Sequence, residues 1–229
     1  MKAMILAAGK GERMRPLTLT TPKPLLRAGG RSLLGHHLEH LRAAGLKQIV
    51  VNHSWLGEQI EQALGDGRDM GLSIVYSPEP EPLETAGGIR QALPLLTGAG
   101  SDWFLVINGD IWSDFDPAEL AAPADPVARA LLVLVENPPH HPEGDFYLAA
   151  DGSVHPEGPA RKTFAGISLL HRSLFANLEP GHRRLAPILT AAMGRGEVRG
   201  LLHSGAWFDI GTPARLAELD RFLQTQGGG

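Results

Sequence analysis

The chain has 229 residues, 43% of them hydrophobic and 20% charged, with a net charge of −4 and no cysteine. Such a composition is ordinarily globular and supports one sizeable core, while the slight acidity argues against general nucleic-acid binding, so any anion site must be local. Without cysteine there is no disulfide, thiolate nucleophile or Cys-based zinc site.

Lys2 to Ala8 reads as a continuous apolar strand of the kind buried on both faces of a parallel sheet. The run is too short, and too quickly followed by glycine and charge, for a signal peptide. No stretch approaches the roughly 20 apolar residues of a membrane helix, so a cytoplasmic, membrane-free protein is expected. Gly9, Lys10 and Gly11 follow, a turn whose backbone N–H groups can meet an anion. Arg15 and Lys23 add two cations, and Lys23 stands between Pro22 and Pro24, which fix where its ammonium points. The bland alternative is a tight turn with solvated cations. The turn has neither the GxxxxGK[ST] nor the GxGxxG pattern.

Ser32 is placed to cap a helix that ends at Gly45, with Leu33, Leu34, Leu38 and Leu41 at helical spacing. Gln48 to Asn52 reads as a strand, Trp55 to Leu64 as a helix and Leu72 to Tyr76 as a strand. The loop SPEPEPLETAGG leads to a helix over Ile89 to Leu96, and a strand over Trp103 to Ile107 runs into Asn108, Gly109 and Asp110. This alternation predicts a doubly wound, mostly parallel, Rossmann-like α/β sheet, in which ligands bind beyond the carboxyl ends of the strands. In the second half, strands are expected over Arg129 to Glu136, Phe146 to Ala150 and Thr163 to Leu170, with some antiparallel pairing. A helix over Leu185 to Met193, strands over Val198 to Leu202 and Trp207 to Ile210, and a helix over Pro213 to Leu223 follow. The organisation expected is a single domain, with a first half at about 1–125, a second half at about 126–223 and a frayed tail at 224–229.

Asp110 follows a buried strand directly and Asp209 sits in a short apolar strand that ends at a Gly-Thr turn, positions that suit a hard cation with oxygen ligands. Each also has a structural reading, Asp110 as an Asx turn or cap and Asp209 as an acceptor beside a cap at Thr212. Together with the glycine-rich loop they favour a magnesium pair. The loop 77–88 is either a solvated loop capped by Glu84 or Thr85, or a rim on which a flat ring meets backbone. His140 and His141 sit in a Pro-rich loop, with a surface role as apt as a substrate contact. The histidines show no HExxH spacing.

MKAMILAAGKGERMRPLTLTTPKPLL resembles the signature of the sugar-1-phosphate nucleotidylyltransferases, and PLETAGG, INGD, TFAGIS and WFDIGT follow in that family's order. The resemblance covers about residues 2–223. It implies a Mg²⁺-dependent reaction between a nucleoside triphosphate and a sugar 1-phosphate, with no nucleic acid or membrane partner. A monomer or weak homodimer is expected, without the C-terminal β-helix of longer relatives. The loops SPEPEPLETAGG and VENPPHHPEGDF and the short ending favour uridylyl transfer to N-acetylmuramic acid 1-phosphate, which belongs to peptidoglycan recycling. Guanylyl transfer to mannose 1-phosphate, or transfer to another hexose 1-phosphate, is the rival, although its loop more often reads PLGTAG, with glycine at the place of Glu84. A non-catalytic nucleotide-sugar-binding subunit is a third reading, one that the full set Arg15, Lys23, Asp110 and Asp209 disfavours.

By the same resemblance, Arg15 would hold the triphosphate and Lys23 would lie at the α-phosphate and the attacking oxygen. Ala8, Gly9, Gly11, Glu79, Pro82, Gly87 and Asn108 would contact the nucleotide. Asn137, Gly144, Asp145, Thr163 and Gly166 would face the sugar, and Asp110 and Asp209 would hold the metal. Where many relatives carry Glu-Lys-Pro at the sugar, this chain has PEGPARKTFAG, so that Glu157 or Lys162 would have to substitute.

Overall fold

A computed structural model describes residues 1–98 and 101–226. Its first half follows the expected alternation, with β1 (Lys2–Leu6), the small hairpin β2 (Arg27–Ala28) and β3 (Arg31–Ser32), α1 (Leu33–Ala43), β4 (Gln48–His53), α2 (Gly57–Leu64), β5 (Ser73–Pro78), α3 (Glu84–Leu96) and β6 (Trp103–Asn108). The rest comprises β7 (Ile111–Ser113), β8 (Ala130–Val135), β9 (Phe146–Leu148), β10 (Val154–His155), β11 (Arg161–His171), α4 (Leu185–Gly194), β12 (Val198–His203), β13 (Trp207–Asp209) and α5 (Pro213–Gln226).

Strands β6, β1, β4 and β5 lie side by side in parallel. β11 continues this sheet antiparallel to β6, and β8 and β9 pair with it. The fold is thus a mixed, mostly parallel Rossmann-like sheet flanked by helices, and the described residues form no β-helix. No helix among them is long and apolar enough to cross a membrane.

The two-residue period of β1 decides its packing. Ala3 and Ile5 face Leu34, Leu38 and Leu41 of α1 on one side of the sheet, and Met4 faces Ile89 and Ala92 of α3 on the other. A third cluster joins Met14, Leu26 and Leu33 to Trp112, Ile210 and Leu219, so the glycine-rich loop is seated against the C-terminal helix. Ser32 caps α1 as expected, accepting from Gly35 N.

Several elements depart from expectation. α3 starts at Glu84 rather than Ile89, because Gly87 and Gly88, poor helix formers in isolation, are chosen for close approach. A Cβ on Gly88 would meet Glu79 Oε1 at 2.5 Å and Asn52 Nδ2 at 2.8 Å. β9 stops at Leu148 and β11 starts at Arg161, with β10 between them. β7 was not foreseen, since three residues carry no period. α5 runs to Gln226, so residues 224–226 of the expected tail are helical, and 227–229 lie outside the described residues.

A buried polar pair ties the strand ends together. Asn52 Oδ1 accepts from Ala7 N at 2.8 Å, and its Nδ2 donates to Glu79 Oε1 at 2.6 Å. Both residues are nearly fully buried. Asn52→Ala would leave the Ala7 N–H and a Glu79 oxygen without these partners, and chemical denaturation is expected to report a loss of about 2–4 kcal/mol.

Candidate active site

The loops after β1, β4, β5 and β6 surround a cavity of about 1070 Å³ at the carboxyl ends of the parallel strands. β1 and β6 sit in the middle of this order, where the strand order reverses and such sheets open a crevice. Gly9, Gly11, Lys23, Pro82, Asn108 and Asp110 line the cavity.

The glycine-rich loop owes its shape to Gly11, whose φ of +63° suits glycine and whose missing Cβ leaves room for Thr18 and Lys23. Thr18 Oγ1 donates to Gly11 O at 2.8 Å, folding the basic segment back on the turn. Lys23 is buried, and its Nζ donates to Asp110 Oδ2 at 2.7 Å. Asp110 is about half exposed, so its carboxylate faces the cavity.

Asp209 reaches this neighbourhood through the unforeseen strand. β13 pairs antiparallel with β7, with Asp209 opposite Ile111, and Ile210 N donates to Asp110 O at 2.7 Å. The side chain of Asp209 is bound by Arg215 of α5, and its Oδ1 lies 2.9 Å from His140 Nε2. Gly211, just beyond, lines the cavity. Among the described residues no three His, Asp or Glu side chains form a ready-made metal cage.

Four residues of the expected nucleotide site lie off the cavity lining. Arg15 does not line the cavity but is exposed, 3.9 Å from Glu12, whereas Arg13 and Lys10 do line it. The cause is Met14, fully buried in the third cluster, which turns its two neighbours different ways. Glu79 faces inward, one oxygen bound to Asn52 and the other accepting from Leu83 N at 2.8 Å. Gly87 packs in α3 against the segment 181–183, its N–H donating to Arg183 O. Ala8 is buried, with Ala7 and Gly9 lining the cavity on either side of it.

The expected sugar residues gather beside this cavity rather than on its lining. At Gly166, with φ +76°, the edge of β11 passes from β9 to β6, and a Cβ there would meet Asn108 Nδ2 at 2.8 Å. Asn137, Gly144, Asp145 and Thr163 form one network. Thr163 Oγ1 donates to Asn137 Oδ1 at 2.9 Å, Asn137 Nδ2 donates to Pro142 O and Arg161 O, and Phe164 N donates to Asp145 Oδ2. A Cβ on Gly144 would meet Asn137 Oδ1 at 2.7 Å. These contacts fix the 137–145 loop on β11. Lys162 pairs with Glu136, while Glu157 is exposed.

Sequence reading missed Arg13, Ser54, Trp55 and His182 on the lining. Trp55 was legible as an exposed aromatic beside a strand end, and its Nε1 donates to Thr18 O at 3.1 Å. Two non-glycine residues take left-handed backbone at the rim, Leu56 with φ 54° and Glu84 with φ 61°. Each conformation costs on the order of 1–2 kcal/mol, and such strain gathers at functional sites. The position of Glu84, where the rival loop carries glycine, is therefore one whose backbone favours glycine.

The residues stand in the order of a known family. A family model described as nucleotidyl transferase matches residues 2–226, and the chain belongs to that family. It is 53% identical to the N-acetylmuramate alpha-1-phosphate uridylyltransferase of Neisseria meningitidis serogroup B, over 95% of this chain and 96% of that one. It is 32% identical to the mannose-1-phosphate guanylyltransferase of Mycobacterium tuberculosis, over 92% of this chain and 61% of that one. The fold superposes with a TM-score of 0.84 on a Bacillus anthracis protein assigned as a glucose-1-phosphate thymidylyltransferase and solved with sucrose, at 23% identity, covering 100% of this chain and 97% of that one.

Behind Asp110 lies His37, whose pKa burial pushes down to about 4, helped by the neighbouring imidazoles of His40 and His36 and opposed by Asp110. Its Nε2 has no hydrogen-bond partner among the described residues. Burial also lowers His36 and His40. The unfolded chain takes up these protons first, so stability is full above about pH 6.5 and is lost as pH falls toward about 4. Denaturant midpoints compared at about pH 7 and about pH 5 are expected to show that loss, and His37→Gln to reduce it.

Proposed function

We infer that the chain transfers a uridylyl group from UTP to N-acetylmuramic acid 1-phosphate, giving UDP-N-acetylmuramic acid and pyrophosphate. The observation that carries this reading is the 53% identity to the meningococcal uridylyltransferase across nearly the whole of both chains. A phosphate oxygen of the sugar 1-phosphate attacks the α-phosphorus of UTP in line. The bond from that phosphorus to the bridging oxygen breaks, and pyrophosphate departs. No covalent intermediate with the protein is needed, so the side chains have only to hold two anions in line and offset their charge.

In this reading the backbone at Gly9 and Gly11 cradles the phosphates, and Lys10 and Arg13 balance the β- and γ-charges from the cavity wall. Lys23, aimed by its prolines and by Asp110, lies at the α-phosphate. Pro82 and the backbone beside Thr85 border the uracil. Asn108 stands between the nucleotide cavity and the sugar side, where Gly166 and the 137–145 loop border the N-acetylmuramic acid. Asp110 and Asp209 supply carboxylate oxygens on adjoining backbones, a hard-donor set that fits Mg²⁺. When bound, the ion would draw charge from the phosphate oxygens. A peptidoglycan-recycling role in the cytoplasm goes with this activity.

Two measurements test the reading. Pyrophosphate release across a panel of nucleoside triphosphates and sugar 1-phosphates is expected with UTP and N-acetylmuramic acid 1-phosphate. Turnover of GTP with mannose 1-phosphate alone would replace this reading with the guanylyl one, and release with no pair would leave a binding subunit. For the residues, Arg13→Ala and Asp110→Asn are expected to lower kcat/KM by about 10²–10³-fold, and Arg15→Ala by less than about tenfold. Equal losses in the two arginine variants would remove the distinction drawn between them.

A further inference from the structure

Both carboxylates of the candidate metal pair are already countered by cations of this chain. Lys23 Nζ binds Asp110 at 2.7 Å. Asp209 is held at both oxygens, Oδ2 by Arg215 Nη1 and Oδ1 by His140 Nε2 at 2.9 Å, and Arg215 Nη1 is 3.1 Å from that same His140 nitrogen. Only 28% of the Asp209 side chain and 22% of that of Arg215 is exposed, so water screens the pair poorly.

The place of Arg215 in the chain is informative. It lies in the first turn of α5, where the free backbone N–H groups disfavour a cation. The helix therefore gives no reason for an arginine there, and Asp209 does. Neither Asp209 nor Arg215 is on the cavity lining itself, but a Cβ on the cavity-lining Gly211 would lie 3.0 Å from Arg215 Nη1, so the pair adjoins the cavity. His140 arrives from the 137–145 loop, so the sugar side touches the same carboxylate.

We propose that Arg215 is a positioning residue that occupies Asp209 as a resident counter-charge until a divalent cation enters together with the nucleoside triphosphate. This rests on the reading of Asp110 and Asp209 as metal ligands. Lys23 and Arg215 already balance the two carboxylates, so a bare divalent cation leaves the site two charges in excess. A triphosphate brings the missing negative charge, and its oxygens offer the displaced guanidinium, which adjoins the cavity beside Gly211, a new partner. Free metal is therefore excluded and metal with nucleotide is admitted, and by linkage each strengthens the other's binding.

The experiment is Mn²⁺ binding followed by electron paramagnetic resonance, with and without a non-hydrolysable UTP analogue. Wild type is compared with Arg215→Met, Arg215→Lys and Asp209→Asn. Arg215→Met is expected to bind free Mn²⁺ about tenfold more tightly than wild type, and the strengthening brought by the analogue to shrink by the same factor, while Arg215→Lys stays close to wild type. Free Mn²⁺ bound equally or more weakly by Arg215→Met would overturn the proposal and leave Arg215 as a support for Asp209. Asp209→Asn separates the two layers. If it weakens Mn²⁺ binding while Arg215→Met brings no gain, the counter-charge role alone fails. If it leaves Mn²⁺ binding unchanged, the metal-ligand reading fails as well.

Discussion

A single backbone contact organises the candidate site, the hydrogen bond from Ile210 N–H to the carbonyl of Asp110. It continues the pairing of β13 with β7 and joins the C-terminal segment to the end of a central strand. Through it Asp209 comes beside Asp110, Gly211 enters the cavity lining, and Ile210 joins Met14 and Trp112 in a dry cluster. Burial makes the arrangement firm, because a backbone N–H and carbonyl placed among apolar side chains must find partners. The glycine-rich loop depends on the same cluster, since Met14 anchors there and so decides which neighbouring arginine meets the cavity.

Around that contact, polar side chains that look chemical in the sequence serve mostly to hold loops. Glu79 and Asn52 fasten the ends of β1 and β4 and the loop after β5 to one another. Asn137, Thr163 and Asp145 fix the 137–145 loop against β11. A buried amide or carboxylate such as that of Asn52 or Glu79 is stable only with its hydrogen bonds made, so that pair is committed to the scaffold. Of the charges on the cavity lining, Lys10, Arg13 and Lys23 suit an anionic ligand and stand beside the acids Glu12, Glu81 and Asp110.

Most of the parallel half was legible from the sequence. Apolar runs such as MILAA and WFLVI can be buried only as central strands, and Ser32 with its leucines defines α1. The glycine-rich loop and its bracketed lysine were legible because glycine and proline limit backbone geometry locally. Arg13 and Arg15 could not be told apart, since both lie two residues or fewer from a glycine or proline and only the burial of Met14 separates them. The start of α3 was missed because Gly87 and Gly88 argue against a helix until their contacts with the Asn52–Glu79 pair and the 181–183 segment are known. β7 is three residues long and takes its identity from its partner β13.

The sequence by itself therefore determined the reaction class and the alternation of strands and helices, because both rest on patterns contained in short continuous stretches. Tertiary structure alone decided which charges meet. Asp110 pairs with Lys23, and Asp209 with Arg215 and His140, through contacts between segments far apart in the chain. Such pairings are set by how two faces of the sheet and a third apolar cluster pack, a sum of many weak contacts that no local stretch encodes.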